Sequence, residues 1–158
     1  MIRIPIKEED VIWAKEETKK FDEQKLYNKV ESSNNYLGIL SEMVLDRWWK
    51  HSSFEHIWVD FVKKGWDEPD FYVKGKSIDL KCTFGFDLLF EKAKFDYYIF
   101  SRVNEDLEAL FVIGYISKEK MQKLIDSGKI ETFESNKRKV YKITIDMLKP
   151  IEEFPNGL

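Results

Sequence analysis

Two short charged motifs that face each other across a predicted hairpin restrict how this chain can fold. Pro69-Asp70 and Asp79-Leu80-Lys81 lie on either side of Lys74-Gly75, where a tight turn between two strands is expected. With a two-residue turn at Lys74-Gly75, the numbers of facing residues sum to 149, so Asp70 faces Asp79. A three-residue turn over Lys74-Gly75-Lys76 would leave Asp70 diagonal to Asp79 and still within reach. Either turn brings two carboxylates and one ammonium group to one place.

Alternation along the second strand separates a polar face from an apolar one. Asp79, Lys81 and Thr83 fall on one face, and the other carries the apolar set Ile78, Leu80, Cys82 and Phe84. Two carboxylates can hold a hard divalent cation, and a lysine beside them can position or activate water. Because like charges this close repel, a cation between Asp70 and Asp79 is expected. The alternatives are a solvated strand face for Asp79 and Lys81 and a plain turn residue for Asp70.

A helix is predicted upstream of the hairpin, over Tyr36–Trp49. Its apolar stripe has a helical period and consists of Leu37, Leu40, Val44, Leu45 and Trp48. At about 100° per residue, Glu42 lies roughly 130° from the centre of the stripe. A carboxylate there can border the core and still point into a cleft. The alternative interpretation is a solvated helix glutamate.

Other segments show the periods of strands and helices in alternation. They predict an edge strand at residues 2–6, a surface helix at 8–21, central strands at 95–103 and 109–116, a helix at 118–126 with Ser117 as N-cap, and a last strand at 139–145. Residues 86–94 are predicted as a loop or short helix, and 147–158 as a tail. The tryptophans are expected in the core rather than stacked on bases: Trp48, Trp49, Trp58 and Trp66.

These motifs, in this order, resemble the PD-(D/E)XK nuclease superfamily. Gly38-Ile39-Leu40-Ser41-Glu42 looks like the GxxxE element of that family's first core helix, and Pro69-Asp70 with Asp79-Leu80-Lys81 looks like PD and (D/E)XK. The resemblance implies an α/β fold with a restriction-endonuclease-like core, in which a central mixed β-sheet is flanked by helices. We therefore predict a single domain over residues 1–158, with residues 1–33 as an N-terminal extension and residues 34–148 as the core.

The resemblance also implies an activity, namely Mg²⁺-dependent hydrolysis of phosphodiester bonds in DNA, with Mn²⁺ able to substitute. In that mechanism Asp70 and Asp79 bind the metal, the Leu80 carbonyl is a further ligand, and Glu42 completes the site directly or through water. Lys81 orients the attacking water and stabilises the developing negative charge. Two neighbours are candidates for substrate binding: Thr83, which shares the face of Lys81, and Arg102, which would contact a phosphate. Their alternatives are an ordinary strand threonine and a surface ion pair.

Composition and charge indicate the cellular compartment and the class of partner, but they do not indicate the reaction. The chain has 158 residues and one cysteine, Cys82, so a disulfide framework is excluded. No signal peptide or long apolar run is visible, which predicts a cytoplasmic protein without a membrane span. A net charge of -3 argues against very tight DNA binding, because phosphate recognition needs local positive potential. A homodimer is possible by the same resemblance, and the rival function is a nucleic-acid-binding or interaction domain that performs no chemistry.

Overall fold

The computed structural model describes residues 1–24, 36–59, 68–135, 138–154 and 156, within which ten strands, three α-helices and two short 3-10 helices (Ile145–Met147 and Ile151–Glu153) are assigned. Trp66, one of the tryptophans expected in the core, lies outside this part. The elements in chain order are β1 (Ile2–Pro5), α1 (Glu8–Gln24), α2 (Tyr36–His51), β2 (Ile57–Trp58), β3 (Phe71–Val73), β4 (Lys76–Thr83), β5 (Leu88–Phe90), β6 (Tyr97–Val103), β7 (Ala109–Ser117), α3 (Lys118–Asp126), β8 (Glu131–Ser135), β9 (Arg138–Ile143) and β10 (Lys149–Pro150).

The main sheet is mixed. Its strands lie in the order β1-β7-β6-β4-β3-β2, and β10 pairs with β7 beside β1. Strands β4 and β6 run parallel, and the other neighbouring pairs run antiparallel. Helix α2 covers one face and α3 the other. The predicted fold class, an α/β domain with a central mixed sheet flanked by helices, is confirmed.

The turn between β3 and β4 has the two-residue form that the sequence suggested. Val73 pairs with Lys76 and Phe71 with Ile78, so facing residues sum to 149 and the three-residue turn is excluded. Lys74 and Gly75 both have positive φ angles, 50° and 74°, as a tight hairpin turn requires. Glycine adopts this conformation without steric cost, whereas Lys74 does not.

Alternation along β4 and β6 builds two separate cores, one on each face of the sheet. Ile78, Leu80 and Ile99 face α2 and belong to a cluster with Leu40 and Val44. On the opposite face lies a second cluster, formed by Tyr98, Phe100 and Ile116 of the main sheet, Met121 of α3, and Leu88 and Ile143 of a three-stranded sheet β5-β9-β8. The helix α3 begins as predicted, with the Ser117 hydroxyl accepting a hydrogen bond from the Lys120 amide.

Three segments differ from the sequence predictions, and one of them is strand β8 (Glu131–Ser135), which was not predicted. Residues 88–90 form strand β5 instead of a loop or short helix, because they pair with β9, a contact that local sequence does not encode. The predicted C-terminal tail packs against the sheet, where Ile151 and Phe154 are buried. A β-carbon on Gly114 would lie 2.6 Å from the Lys149 carbonyl oxygen, so only glycine lets β10 approach β7 this closely.

The N-terminal segment is joined to the same sheet. Strand β1 pairs with β7, and Ile4, Ile6 and Ala14 contribute to the core under α2. Within the described ranges, no helix combines the length and the apolar character needed to cross a membrane.

Candidate functional site

Asp70 lies where strand β3 leaves strand β4. Its amide donates to the carbonyl of Ile78 at 3.0 Å, and its carboxylate accepts a hydrogen bond from the Leu80 amide at 2.7 Å. The backbone pairing of the hairpin therefore ends at Phe71–Ile78. Beyond this pair, the Asp70 carboxylate, rather than a main-chain carbonyl of β3, accepts the hydrogen bond of the Leu80 amide. From the other side, the Val59 amide donates to the Asp70 carbonyl at 2.9 Å. Asp70 is fixed from both sides and is only 7% exposed.

Asp79 and Lys81 meet directly on the face of β4 that also carries Thr83. The Lys81 Nζ atom lies 2.8 Å from Asp79 Oδ2, and the Asp79 residue is 8% exposed while the Lys81 side chain is 41% exposed. Burial works to lower the pKa of Lys81, but the charge and hydrogen bond of Asp79 and the charge of Asp70 outweigh it, so the pKa lies above its usual value. Lys81 is thus a fixed cation beside two carboxylates. The structure brings this predicted trio together.

The Leu80 carbonyl is placed at the same edge by the pleat of the strand. The Ile78 carbonyl and the Leu80 amide both bond toward the side of β3. Because the amide and carbonyl of one strand residue point the same way, the Leu80 carbonyl also points to the gap that β3 leaves. Two carboxylates and one carbonyl are oxygen donors of the kind that Mg²⁺ prefers, and this ion commonly keeps several waters in addition. The residues present fit a magnesium ion.

Glu42 borders the core as the helical stripe predicted, and it is nearly buried at 4% exposure. Its Oε2 atom accepts a hydrogen bond from the indole Nε1 of Trp58 at 3.0 Å. Among the described residues, no group of three or more His, Cys, Asp or Glu side chains is arranged to hold a metal ion. The structure therefore does not place Glu42 as a third direct ligand beside Asp70 and Asp79.

Thr83 and Arg102 are register partners across β4 and β6. The Thr83 hydroxyl oxygen accepts a hydrogen bond from the Gly85 amide at 3.0 Å. The Arg102 guanidinium lies over two rings, 5.2 Å from the centroid of Phe86 and 5.8 Å from that of Phe111. The surface ion pair considered for Arg102 is not formed in the part of the chain that is described.

Tyr98 is a neighbour of the site that sequence reasoning missed. It is the register partner of Asp79 on β6 and is buried. Its hydroxyl accepts hydrogen bonds from the amides of Lys94 and Phe95, at 2.6 and 3.1 Å, and donates to the carbonyl of Lys92 at 3.0 Å. Tyr98 thereby fixes a lysine-bearing loop beside Asp79. A strand tyrosine is ordinary in sequence, so no signal pointed to this role.

A second polar contact, also missed, ties β2 to the helix that carries Glu42. His56 Nε2 lies 2.8 Å from Asp46 Oδ1, and His56 Nδ1 lies 2.8 Å from the Phe54 carbonyl. Asp46 follows Glu42 by one helical turn, so the two carboxylates lie on the same side of α2. His56 contacts Asp46, and Trp58, two residues later, contacts Glu42. Together these contacts fix the orientation of α2 relative to the sheet edge.

The partly buried thiol close to this region is not a reactive group. Cys82 lies on the apolar face of β4, and burial raises the pKa of its thiol to about 11 despite hydrogen bonds with Ser101 and Ser41. The thiol stays protonated at neutral pH, so Cys82 acts as a small apolar side chain.

Comparison with known proteins finds a similar solved structure, at low sequence identity. No protein-family model matches the chain, and no curated protein matches it. Among solved structures, it is similar to a nuclease from a fusselovirus, with 16% sequence identity and a TM-score of 0.41, over 82% of this chain and 92% of that chain.

Proposed function

We propose that the protein is a metal-dependent nuclease that hydrolyses phosphodiester bonds in DNA, with Asp70 and Asp79 as the ligands of Mg²⁺. The observation that carries this proposal is the meeting of two buried carboxylates and the Lys81 ammonium at the point where β3 leaves β4. Burying two carboxylates at one place is costly, and folding alone does not require it.

The two carboxylates of the site can attract a divalent cation. Asp70 and Asp79 contribute two negative charges, and Lys81 supplies one positive charge. A divalent ion bound between Asp70 and Asp79 would be attracted by both carboxylates, and carboxylate oxygens are ligands that Mg²⁺ prefers. When bound, Mg²⁺ supplies a Lewis acid for a phosphoryl oxygen and lowers the pKa of a coordinated water. Mn²⁺ has similar ligand preferences and is expected to substitute.

The side chains of the site have separate tasks in the proposed reaction. Asp70 is held in place by the Leu80 amide and Asp79 by its contact with Lys81, so both carboxylates are positioned before any ion binds. Lys81 keeps its charge and orients the attacking water while it stabilises negative charge on the phosphorane. Glu42, held by Trp58, contributes through water, and the Leu80 carbonyl is the additional oxygen donor.

A cleavage assay tests the proposal. Linear, circular and branched DNA are incubated with the protein in Mg²⁺, in Mn²⁺ and in chelator, and Asp79→Asn and Lys81→Ala are compared with Asp106→Asn, an exposed carboxylate in the turn before β7. Cleavage is expected only with metal, and removing a site residue is expected to reduce it at least about 100-fold, as for other positioned charged groups. Asp106→Asn should cleave normally. Full cleavage by either site variant overturns the assignment.

The rival function is a nucleic-acid-binding domain without chemistry. It is favoured by two observations, the direct contact of Lys81 with Asp79 and the missing third ligand among the described residues. This rival predicts DNA binding that is unaffected by Asp79→Asn, together with no cleavage in any metal.

A further inference from the structure

Phe86 is the most exposed large apolar side chain among the described residues, at 88%. It lies in the loop between β4 and β5, and that loop is anchored on both sides. The Gly85 amide bonds to the Thr83 hydroxyl at 3.0 Å, and Lys142 Nζ lies 2.8 Å from Asp87 Oδ1. Phe84 packs against the core. The Phe86 ring is therefore held out in solvent while its neighbours are fixed.

The ring is not alone, because a cation lies against it. The Arg102 guanidinium lies 5.2 Å from the Phe86 centroid and 5.8 Å from the Phe111 centroid. Both distances are within the range of a cation–π contact. In the part of the chain described, Arg102 makes no ion pair, so no carboxylate there uses its N–H donors. This surface joins an exposed aromatic ring to an arginine whose charge is available.

The same surface continues directly from the candidate metal site. Thr83, Arg102 and Phe111 are register partners across β4, β6 and β7, and they share the face of Asp79 and Lys81. Thr83 follows Lys81 by two residues, a distance of about 7 Å along a strand. A nucleotide chain bound at Lys81 would thus reach Arg102 and Phe86 within one or two units.

We propose that Phe86 and Arg102 form a binding site for an unpaired nucleotide of single-stranded DNA, beside the phosphate that is cleaved. The base stacks on the outer surface of the Phe86 ring, and Arg102 donates hydrogen bonds to the adjoining phosphate. A base inside a duplex has both faces covered by its neighbours and cannot stack in this way. The choice of DNA rests on the proposed function, whereas the preference for an unpaired base rests on this surface.

Equilibrium binding without divalent metal tests this proposal separately from catalysis. Fluorescence anisotropy is measured with a labelled single strand and with the matching blunt duplex. Phe86→Ala is expected to weaken single-strand binding about ten-fold or more, as for loss of one base–aromatic stack. Phe86→Trp should retain the affinity. Phe133→Ala, which removes an exposed phenylalanine of the second sheet, is the matched control and should bind within about two-fold of the wild type.

The salt dependence separates the two side chains of the site. Arg102→Ala should lower the slope of log affinity against log salt by about 0.7 on single-stranded DNA, because one phosphate contact is lost. Phe86→Ala should leave that slope unchanged. Binding of single strands by Phe86→Ala at wild-type affinity, an equal loss on the duplex, or no single-strand binding by the wild type would each overturn the inference. The test measures binding only, so a protein that cleaves no DNA could still bind single strands at Phe86 and Arg102.

Discussion

Asp70 has two roles that different substitutions separate. As a carboxylate it is a proposed metal ligand, and as a hydrogen-bond acceptor it satisfies the Leu80 amide in place of a strand neighbour. An amide side chain keeps the acceptor but not the charge, and a methyl group keeps neither. The residue before β3 therefore links the stability of the sheet edge to its chemistry.

Asp70→Asn and Asp70→Ala should accordingly differ in stability but not in metal affinity. Both should lose Mg²⁺ and Mn²⁺ binding, while Asp70→Ala should be less stable than Asp70→Asn by about 1–3 kcal/mol, because the buried Leu80 amide loses its acceptor. Urea unfolding without metal measures the difference. Equal unfolding midpoints would show that the bond to Leu80 does not stabilise the fold.

Asp10 gives the fold a predictable dependence on acid. Burial works to raise the pKa of Asp10, but hydrogen bonds from the Arg47 side chain and the Lys7 amide, with the charges of both residues, lower it below the usual 3.8. Because the folded pKa is the lower one, this carboxylate stabilises the fold above pH 3.8 and loses that contribution as the pH falls through the folded value. At the start of α1 it also bonds back to the amide preceding the helix.

In Asp10→Asn, the free energy of unfolding should therefore fall less steeply between neutral pH and pH 3 than in the wild type. Glu16→Gln, which changes an exposed carboxylate of the same helix, serves as the control. Denaturant unfolding at several pH values gives the two slopes. Identical slopes for Asp10→Asn and the wild type would contradict this role of Asp10.

At the scale of elements, the hydrogen bonds of Tyr98 hold the loop before β6 to the sheet. The chain offers a matched comparison, since Tyr115 on β7 is buried to the same degree and its hydroxyl has no hydrogen-bond partner among the described residues. Burial raises the pKa of both phenols, so both hydroxyls stay protonated. The two tyrosines differ in hydrogen bonding rather than in burial.

Tyr98→Phe should destabilise the protein by about 1–3 kcal/mol, because two loop amides lose their acceptor. Tyr115→Phe should be neutral or slightly stabilising, because it removes a buried hydroxyl without a partner. Thermal unfolding of both variants is the measurement. A larger loss for Tyr115→Phe than for Tyr98→Phe would contradict the account of this loop.

The elements with strong local signals were predictable from the sequence. The stripe of α2, the β-branched and aromatic runs of β6 and β7, and the cap at Ser117 all have their causes within a few residues. Strand β5 was missed because three residues carry no period, and it exists only through its partner β9. The hairpin was predictable by counting, since a two-residue turn fixes the register.

The site was predictable only in part, for the same reason. Asp70, Asp79 and Lys81 are related by the hairpin, which is local, so arithmetic on residue numbers brought them together. Glu42 is related to them by tertiary packing, and the helical period predicted its border position but not its contact with Trp58. The proposed role of Phe86 depends on its contact with Arg102, and Tyr98 acts through hydrogen bonds to the loop just before β6. Neither contact has a signature in the sequence.

At the scale of the whole molecule, the sheet separates two cores and carries the candidate site where β3 leaves β4. The apolar cluster under α2 holds the strands from one side, and the second sheet with α3 holds them from the other. With a net charge of -3, the protein does not attract DNA by its overall field. In the proposed function, the local cations Lys81 and Arg102 and the proposed metal ion supply the attraction for phosphate.

Calorimetric titration with Mn²⁺ tests the central claim, that Asp70 and Asp79 hold a divalent cation. The wild type and Asp106→Asn are expected to bind one ion with equal affinity, and Asp79→Asn to lose that binding by at least about ten-fold, because a ligand charge is removed. No Mn²⁺ binding by the wild type, or unchanged binding by Asp79→Asn, would contradict the claim.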